Sequence, residues 1–342
     1  MKINGILEFF CSAFRQNIKS QHIHVLDGWR GLSILFVLAA HLLPLGEKKW
    51  QINFTIGALG MSLFFILSGF LITNFLYKKQ NIVDFLIRRF FRILPLAWLY
   101  IFIAFSLNSV DQSQWLAQLF FYGNWPPMQL TKVTSHFWSL CVEVQFYIMV
   151  TLFVFLFRKR GLLVLPLLCL AITWYRIDQQ VHIAINTYYR LDEILAGCTL
   201  SLIYNNEIFS NLKKVLSKIN PYLIFLLLVV SCHPESGGMN YLRPYFSAIL
   251  IGITLLNNKN YLSYFLNIKV LYYLATVSYA LYVIHGGLRH TWLGDGDTLV
   301  KYAKRPLLFL ATFFLAHIST FYYEKYFIKL GHTISNKINN HD

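Results

Sequence analysis

Stretches of about 20 mostly apolar residues recur along the whole of this 342-residue chain. Only 13% of its residues are charged and its mean hydropathy is +0.50, whereas soluble domains carry about 25% charged residues. A helix of about 20 apolar residues spans the hydrocarbon core of a bilayer and satisfies its own backbone hydrogen bonds there. The pattern therefore predicts an all-α integral membrane protein.

The apolar stretches predict a polytopic bundle of about ten transmembrane helices in one domain, 1–342, with a core at about 24–325. The predicted spans are roughly 31–46, 55–77, 92–108, 136–157, 161–177, 187–204, 221–233, 242–256, 271–289 and 306–324. If the N-terminus is inside, two-thirds of the Lys and Arg residues fall in cytoplasmic segments. By the positive-inside rule we therefore expect both termini in the cytoplasm.

The N-terminal segment, 1–23, lacks an apolar core followed by a cleavage site, so we expect no cleaved signal peptide. Its amphipathic part, Ile6 to Phe14, is expected to lie along the membrane surface. The net charge of +15 comes from basic residues in short loops, which is a topology signal and does not indicate nucleic-acid binding. The five cysteines are scattered without metal-ligand spacing, so we expect no disulfide and no metal site.

The stretch DGWRGLSILFVLAAH places ionisable residues inside the first apolar run. Arg30 and His41 are eleven residues apart, which puts them on one helix face about 16 Å apart along the axis. Asp27 lies three residues before Arg30 and shares its face. Ionisable groups in a span are costly and usually functional. The alternative is a snorkelling arginine and an interfacial histidine at the two helix ends.

The stretch SHFWSLCVEVQFY predicts a polar stripe on the fourth span. His136, Ser139, Glu143 and Tyr147 recur at spacings of three and four residues, so they share one helix face. Glu143 would lie well inside the hydrocarbon and needs a partner there. We predict that it pairs with His41. The alternative is a structural glutamate that binds backbone groups.

Two motifs between these stretches are compatible with ligand binding, but also with lipid contact or helix packing. The basic loop KKQNIVDFLIRRFFRILP holds Arg89 and Arg92 on one helix face, and paired arginines bind phosphates. Anionic lipid headgroups would suit them equally well. In GALGMSLFFILSGFLI, small residues such as Ser68 and Gly69 allow either close helix packing or exposure of backbone to a ligand.

Polar residues at helical spacing recur later in the chain. They are Arg190, Glu193 and Gly197, and then Ser278, Tyr282, His285 and Arg289. His285 is expected to orient another group, because the histidines in or beside spans lack the spacing of a metal pair.

Five motifs in order resemble the membrane acyltransferase-3 family over about residues 24–325. They are LDGWRGLSILFVLAAH, GALGMSLFFILSGFLI, FLIRRFFRILP, FWSLCVEVQFY and VSYALYVIH. Family members O-acylate cell-surface glycans in bacteria with acyl groups, commonly acetyl, from cytoplasmic acyl-CoA. The resemblance implies an essential histidine at His41 beside Arg30, and acyl-CoA contacts at Arg89 and Arg92. Its other motif positions fall on Phe64, Phe65, Ser68, Gly69, Phe70, Trp138, Ser139, Leu140 and Glu143.

Residues and resemblance together predict an acyl-CoA-dependent acyltransferase in which His41 is the general base and Glu143 orients it. The predicted acyl-CoA-binding residues are Arg30, Arg89, Arg92, Ser68 and Gly69. The predicted supporting residues are Asp27, Trp138, Ser139, His136, Arg190, Tyr282 and His285. Direct transfer and an acyl-histidine intermediate both stay open.

The resemblance also implies a multi-pass protein of the bacterial cytoplasmic (inner) membrane. The expected partners are acyl-CoA, membrane lipids and a carbohydrate acceptor, either a surface glycan or a lipid-linked precursor, with no permanently bound cofactor. A homo-oligomer stays open. Some family members add a soluble C-terminal domain, and this chain ends soon after its last predicted span, so we expect it to act alone or with a partner protein.

The rival interpretation is a proton-coupled transporter, or a carrier of a sugar-linked substrate. Arginine, histidine and glutamate inside spans also form proton relays. The sequence shows neither two related halves nor a matched pair of broken helices, which such transporters commonly have.

Overall fold

The computed structural model describes residues 23–257 and 260–339, and this part of the chain folds into helices without a β-strand. The amphipathic segment predicted at Ile6 to Phe14 lies outside the described residues. The α-helices are α1 (His24–Leu42), α2 (Ile52–Lys79), α3 (Ile82–Ser106), α4 (Gln112–Leu119), α5 (Trp138–Phe157), α6 (Lys159–Leu162), α7 (Leu165–Asp178), α8 (Thr187–Tyr204), α9 (Leu212–Leu216), α10 (Pro221–Cys232), α11 (Arg243–Leu256), α12 (Tyr261–Leu266), α13 (Lys269–Arg289), α14 (Thr298–Ala303), α15 (Arg305–Ile318) and α16 (Lys325–Asn339). Short 3₁₀ turns cover Lys48–Trp50, Ser135–Phe137 and Gly237–Leu242, and a π-helical segment, Ser319–Glu324, joins α15 to α16.

Every predicted span overlaps a helix of the structure, and the described part of the chain is all-helical, as predicted. Among the described helices, five segments are long and apolar enough to cross a bilayer. They are His24–Leu42, Lys48–Lys79, Ser135–Phe157, Lys159–Asp178 and Arg305–Asn339. Helix α10 is apolar but shorter. The count of ten crossings and the cytoplasmic termini remain predictions.

Two predicted boundaries were wrong, and both errors concern basic motifs. Helix α1 begins at His24, seven residues before the predicted start of the span, and it contains Asp27, Arg30 and His41 on one helix as predicted. Helix α3 begins at Ile82, so the arginines of the predicted basic loop lie on its first turns. Asn81 caps α3 by accepting a hydrogen bond from the backbone N–H of Asp84 at 2.9 Å, which explains the early start.

Proline lies inside α3 and does not end it. The backbone carbonyl groups of Pro95 and of Ile93, two residues before it, accept hydrogen bonds from two tyrosines. Tyr279 donates to the carbonyl of Ile93 at 2.6 Å, and Tyr323 donates to that of Pro95 at 3.2 Å. Neighbouring helices thus satisfy backbone groups near a proline, as membrane helices require.

Helix α1 lies at the centre of the bundle, between α2 and α13, and α2 packs against α8 on its other side. Ser33 of α1 donates a hydrogen bond to the carbonyl of Gly60 on α2 at 2.6 Å. The indole N–H of the buried Trp29 donates to Thr254 of α11 at 2.9 Å. The motif that holds Arg30 and His41 is therefore fixed from several sides.

A buried network of ion pairs joins α7, α8 and α11. Arg176 of α7 pairs with Asp192 of α8. Glu193 of α8 accepts hydrogen bonds from Arg190 at 2.8 Å and from Arg243 of α11 at 2.6 Å. All five side chains are almost fully buried. Since an unpaired buried charge is costly, these pairs fix the relative positions of the three helices.

Replacing Glu193 by alanine should strongly destabilise the fold, because Arg190 and Arg243 would lose the carboxylate between them. We expect the free energy of unfolding to fall by about 3–5 kcal/mol. Thermal unfolding in detergent, followed by the reaction of the buried cysteines with a thiol-specific dye, would measure it. The matched control is Glu47→Ala, at an exposed ion pair, where we expect almost no change. Equal melting temperatures for the two variants would contradict the prediction.

Candidate active site

Three histidines from distant segments meet at the C-terminal end of α1. His41 Nδ1 lies 3.0 Å from His285 Nε2 of α13, and the planes of the two rings are within 14° of parallel. The ring centroid of His136, from the turn before α5, lies 5.0 Å from that of His285. These residues are far apart in sequence, so no local spacing could reveal the cluster. Within the described part of the chain, no group of His, Cys, Asp and Glu side chains is arranged to hold a metal ion.

Backbone carbonyl groups determine the proton positions in the histidine pair. His285 Nδ1 lies 2.7 Å from the carbonyl of Tyr282 and 3.1 Å from that of Leu281. A carbonyl only accepts, so Nδ1 carries the hydrogen, and in the neutral ring Nε2 then holds the lone pair. His41 Nδ1–H must donate to that lone pair. The free lone pair of His41 is therefore on its Nε2.

Tight packing holds His136 against α13. Its Nε2–H donates to the carbonyl of Val283 at 3.2 Å. A Cβ atom at Gly286 would lie 2.2 Å from His136 Cε1, so only glycine leaves room for the ring. The Tyr282 hydroxyl donates to the backbone carbonyl of His136 and therefore accepts from Ser139, whose Oγ lies 2.7 Å away. Tyr282 and Ser139, both predicted supporting residues, thus connect α13 with α5.

The predicted pairing of His41 with Glu143 is wrong. Glu143 Oε1 instead accepts hydrogen bonds from Ser68 Oγ at 2.5 Å and from the Tyr147 hydroxyl at 2.6 Å. His41 lies beside the histidine that precedes α5, whereas Glu143 lies about two turns further along that helix. Glu143 is therefore bound by hydroxyl groups of α2 and of its own helix.

Neither of the small residues predicted to bind acyl-CoA lines the cavity described below. Ser68 binds the carboxylate of Glu143. A Cβ atom at Gly69 would lie 1.9 Å from the carbonyl oxygen of Ile194, so Gly69 allows α2 and α8 to cross in backbone contact. The structure thus explains both residues by packing and by support of Glu143.

A small cavity of about 30 Å³ lies between α1, α2, α5 and α13. Its polar lining consists of Arg30, Ser33, Ser139, Glu143, Ser278, Tyr279 and Tyr282. Val37 also lines it and lies one helical turn before His41, so the cavity approaches the histidine cluster without including His41. The cavity therefore extends along α1 from Arg30 to Val37, one helical turn short of His41.

Basic side chains gather at the Arg30 end of this cavity. Arg30 lies within electrostatic range of Arg89, Arg92, Asp27 and Glu143. The Arg89 guanidinium lies over the ring of Tyr147, 5.8 Å from its centroid. A second cavity, of about 220 Å³, is lined by all three arginines of α3. Arg89 and Arg92 thus line the second cavity and lie within electrostatic range of Arg30, which lines the first.

Trp138 and Arg190 pack against each other and connect α5 with α8 next to the site. The Arg190 guanidinium lies 5.1 Å from the Trp138 ring centroid, and Trp138 packs edge-on against Phe65 of α2. Arg190 also belongs to the buried ion-pair network through Glu193. The sequence analysis did not predict a role for the network residues Arg176, Asp192 and Arg243. Their position as charged residues inside apolar stretches was a signal that could have identified them.

The histidine end of the site also has a basic rim. Arg289, at the end of α13, lies within electrostatic range of His41. Burial, together with Arg289 and Lys132, lowers the pKa of the neighbouring His290. An electropositive rim of this kind would attract an anionic group towards His41.

Comparison with known proteins gives one family. The acyltransferase-3 family model, described as an acyltransferase domain, matches residues 23–326. The putative peptidoglycan O-acetyltransferase YrhL of Bacillus subtilis is 28% identical over 320 residues, which cover 78% of this chain and 49% of the relative. The peptidoglycan O-acetyltransferase OatA of Listeria monocytogenes is 24% identical over 316 residues, with the same shares of 78% and 49%.

A putative O-acetyltransferase of Staphylococcus aureus is 24% identical over 337 residues, which cover 83% of this chain and 54% of the relative. The chain thus spans about half the length of these curated relatives. No solved structure matches it.

Substituting Gly286 by alanine should displace the His136 ring and so disturb the packing of the histidine cluster. We expect overpacking to lower the free energy of unfolding by about 1–3 kcal/mol. The control is Gly238→Ala, because a Cβ atom there meets nothing within 4 Å. Its effect should stay within about 0.5 kcal/mol. The melting temperatures of the two purified variants test this, and a Gly286→Ala protein as stable as Gly238→Ala would refute it.

Proposed function

Because the chain belongs to the acyltransferase-3 family, we propose that it is a membrane-bound O-acyltransferase. It moves an acyl group, acetyl first of all, from cytoplasmic acyl-CoA to a hydroxyl group of an extracytoplasmic sugar. This activity would place it in the bacterial inner membrane. The observation that carries the proposal is the cavity between Arg30 and the histidine cluster, with phosphate-binding chemistry at one end and a free imidazole lone pair beside the other.

The names of the relatives indicate which acceptor glycan should be tested first. Two are named for peptidoglycan, so peptidoglycan comes ahead of O-antigen, capsule and exopolysaccharide. The basic rim around Arg289 and Lys132 suits an anionic glycan or a lipid-linked precursor with phosphate groups.

The arginines bind the phosphates of the donor. Arg30, Arg89 and Arg92 provide guanidinium groups that form charge-assisted, bidentate hydrogen bonds with phosphate oxygens. The pantetheine arm of acyl-CoA then lies along α1, where the cavity of about 30 Å³ has to widen to admit it. Arg30 and His41 are about 16 Å apart along that helix, which is a distance that an extended pantetheine arm can bridge.

His41 Nε2 acts as the general base. It takes the proton of the acceptor hydroxyl while the oxygen attacks the thioester carbonyl carbon, so a C–O bond forms and the C–S bond breaks. CoA leaves as a thiolate and receives the proton from His41, which regenerates the neutral ring. The same lone pair could first accept the acyl group, and the acyl-histidine route therefore uses the same geometry.

His285 orients His41, which is the role that the sequence had suggested for Glu143. It holds the Nδ1–H of His41 and thereby keeps the Nε2 lone pair available. Glu143 lines the donor cavity opposite Arg30, where its carboxylate and Arg30 fix the path of the pantetheine arm between them.

Removal of the base should abolish most of the transfer. We expect His41→Ala to lower kcat by about 10²–10⁴-fold, and His285→Ala, which misplaces the base, by about 10²-fold. The measurement is the release of CoA from acetyl-CoA by the purified protein with peptidoglycan fragments as acceptor. The control His233→Ala changes a peripheral histidine that contacts the carbonyl of Trp50 and should leave kcat unchanged.

Measurement of ester groups in cells separates the enzyme from a carrier. A deletion strain should lose one class of O-acetyl ester from its surface glycans, and wild type should restore it while His41→Ala should not. Full rescue by His41→Ala would remove the base from the mechanism. Unchanged ester content in the deletion strain, or transport of a sugar-linked substrate without CoA release, would favour a carrier instead.

A further inference from the structure

The segment 290–304 joins α13 to α15 and includes the short helix α14. It begins directly after Arg289, which lies about one helical turn beyond His285 on α13. The segment therefore starts at the histidine end of the site. It carries Trp292, whose side chain is 64% exposed.

Contacts on both sides of Trp292 fix its place in this segment. Lys304 Nζ donates to the carbonyl of Trp292 at 2.9 Å and to that of Asp295 at 3.2 Å. The neighbouring Leu293 is buried. A Cβ atom at Gly294 would lie 1.9 Å from the carbonyl oxygen of Arg289, so the chain folds back directly onto the end of α13. The exposed ring is therefore held by a well-packed turn.

Charges around the ring argue against a membrane anchor. The Lys304 ammonium group lies over the Trp292 ring, 5.4 Å from its centroid, and Asp295 and Asp297 are exposed in the same turn. Tryptophans that anchor a protein in a bilayer lie at the level of the headgroups, and charges that follow such a ring towards the hydrocarbon are costly. The exposed surface of Trp292 is thus suited to a ligand with one apolar face in water, and the C–H groups of a pyranose ring form such a face.

Arg305, the first residue of α15, has guanidinium donors without acceptors. Its Nε and Nη1 atoms are buried and make no hydrogen bond within the described part of the chain. Its guanidinium carbon lies 5.7 Å from the ring centroid of Tyr302, and Arg289 lies within electrostatic range. Buried donors of a charged group are costly when unpaired. A carboxylate at the rim would supply the acceptors in bidentate geometry once the side chain turns towards it.

We propose that Trp292 and Arg305 form an acceptor subsite for a pyranose ring that carries an anionic substituent. The apolar face of the sugar stacks on the Trp292 ring, and the substituent binds the Arg305 guanidinium. The inference rests on the proposed acyltransferase function and names the class of its acceptor. The subsite lies on the segment that begins one turn beyond His285, so the sugar is held next to the histidine cluster.

The direct test compares two disaccharides, of which only one carries a carboxylate. They are N-acetylglucosaminyl-N-acetylmuramic acid, which is acidic, and the neutral N,N′-diacetylchitobiose. Isothermal titration calorimetry measures their binding to the full chain in phosphatidylcholine nanodiscs without acetyl-CoA. We expect Trp292→Ala to raise both Kd values about tenfold, because both sugars lose the stacked ring. Arg305→Gln should raise only that of the acidic disaccharide, also about tenfold.

Two matched variants serve as controls. Trp174→Ala removes another tryptophan of similar exposure, at 71%, from α7. Arg160→Gln neutralises an exposed arginine on α6. Both variants should keep the wild-type Kd values. Trp292→Phe retains a smaller ring and should give a Kd between those of the wild type and Trp292→Ala, which a variant that merely misfolds would not.

Kinetics separate this inference from the proposed function. Trp292→Ala should raise KM for the acidic disaccharide about tenfold and leave KM for acetyl-CoA unchanged, since the ring lies at the histidine end. Wild-type Kd values in both Trp292→Ala and Arg305→Gln, with CoA release intact, would overturn the inference while the acyltransferase stands. A wild-type chain that binds the acidic disaccharide through both residues but never releases CoA would overturn the acyltransferase and leave the glycan subsite.

Two further outcomes would also overturn the subsite. One is that neither disaccharide binds the wild type. The other is that Trp292→Ala lowers the amount of membrane-inserted protein while its Kd and KM values stay at wild type, which would make Trp292 an interfacial anchor.

Discussion

Each ionisable group inside this apolar bundle must find a partner within the bundle, and this constraint determines how the helices meet. Glu193 binds two arginines, one on its own helix α8 and one on α11, and Glu143 binds two hydroxyl groups. His41 binds a second histidine. Because an unpaired charge in hydrocarbon costs several kcal/mol, each such contact selects one helix arrangement over its alternatives. The polar contacts therefore both build the fold and create the site.

The same constraint separates the site into two environments. At the arginine end, Arg30 lies within electrostatic range of two further arginines and of the carboxylates of Asp27 and Glu143. At the histidine end, hydrogen bonds to carbonyls and to a second imidazole satisfy the rings without any counter-charge. A neutral imidazole with a free lone pair suits a base. The cavity extends from the arginine end towards an environment that favours proton transfer.

The sequence predicted the helical class and the family, because these depend on local patterns. Hydropathy revealed the helices, and spacing placed Arg30 and His41 on one face of α1. The partner of His41 could not be predicted, since His285 lies on a distant helix and only the packing of α1 against α13 brings them together. The start of α3 was missed because a cap formed by Asn81 outweighed the basic composition of its first turns.

The direction of the His41–His285 hydrogen bond follows from a feature of α13 that is independent of the ligand. Carbonyl groups of Leu281 and Tyr282 accept the Nδ1–H of His285, as a side chain that bonds back to its own helix does. This bond determines the tautomer of His285, which in turn makes His41 Nδ1 the donor. The basic lone pair of His41 is therefore placed by the backbone of a neighbouring helix. A carboxylate at the position of His285 would also hold the ring, but it would add a buried charge that the bundle would have to compensate.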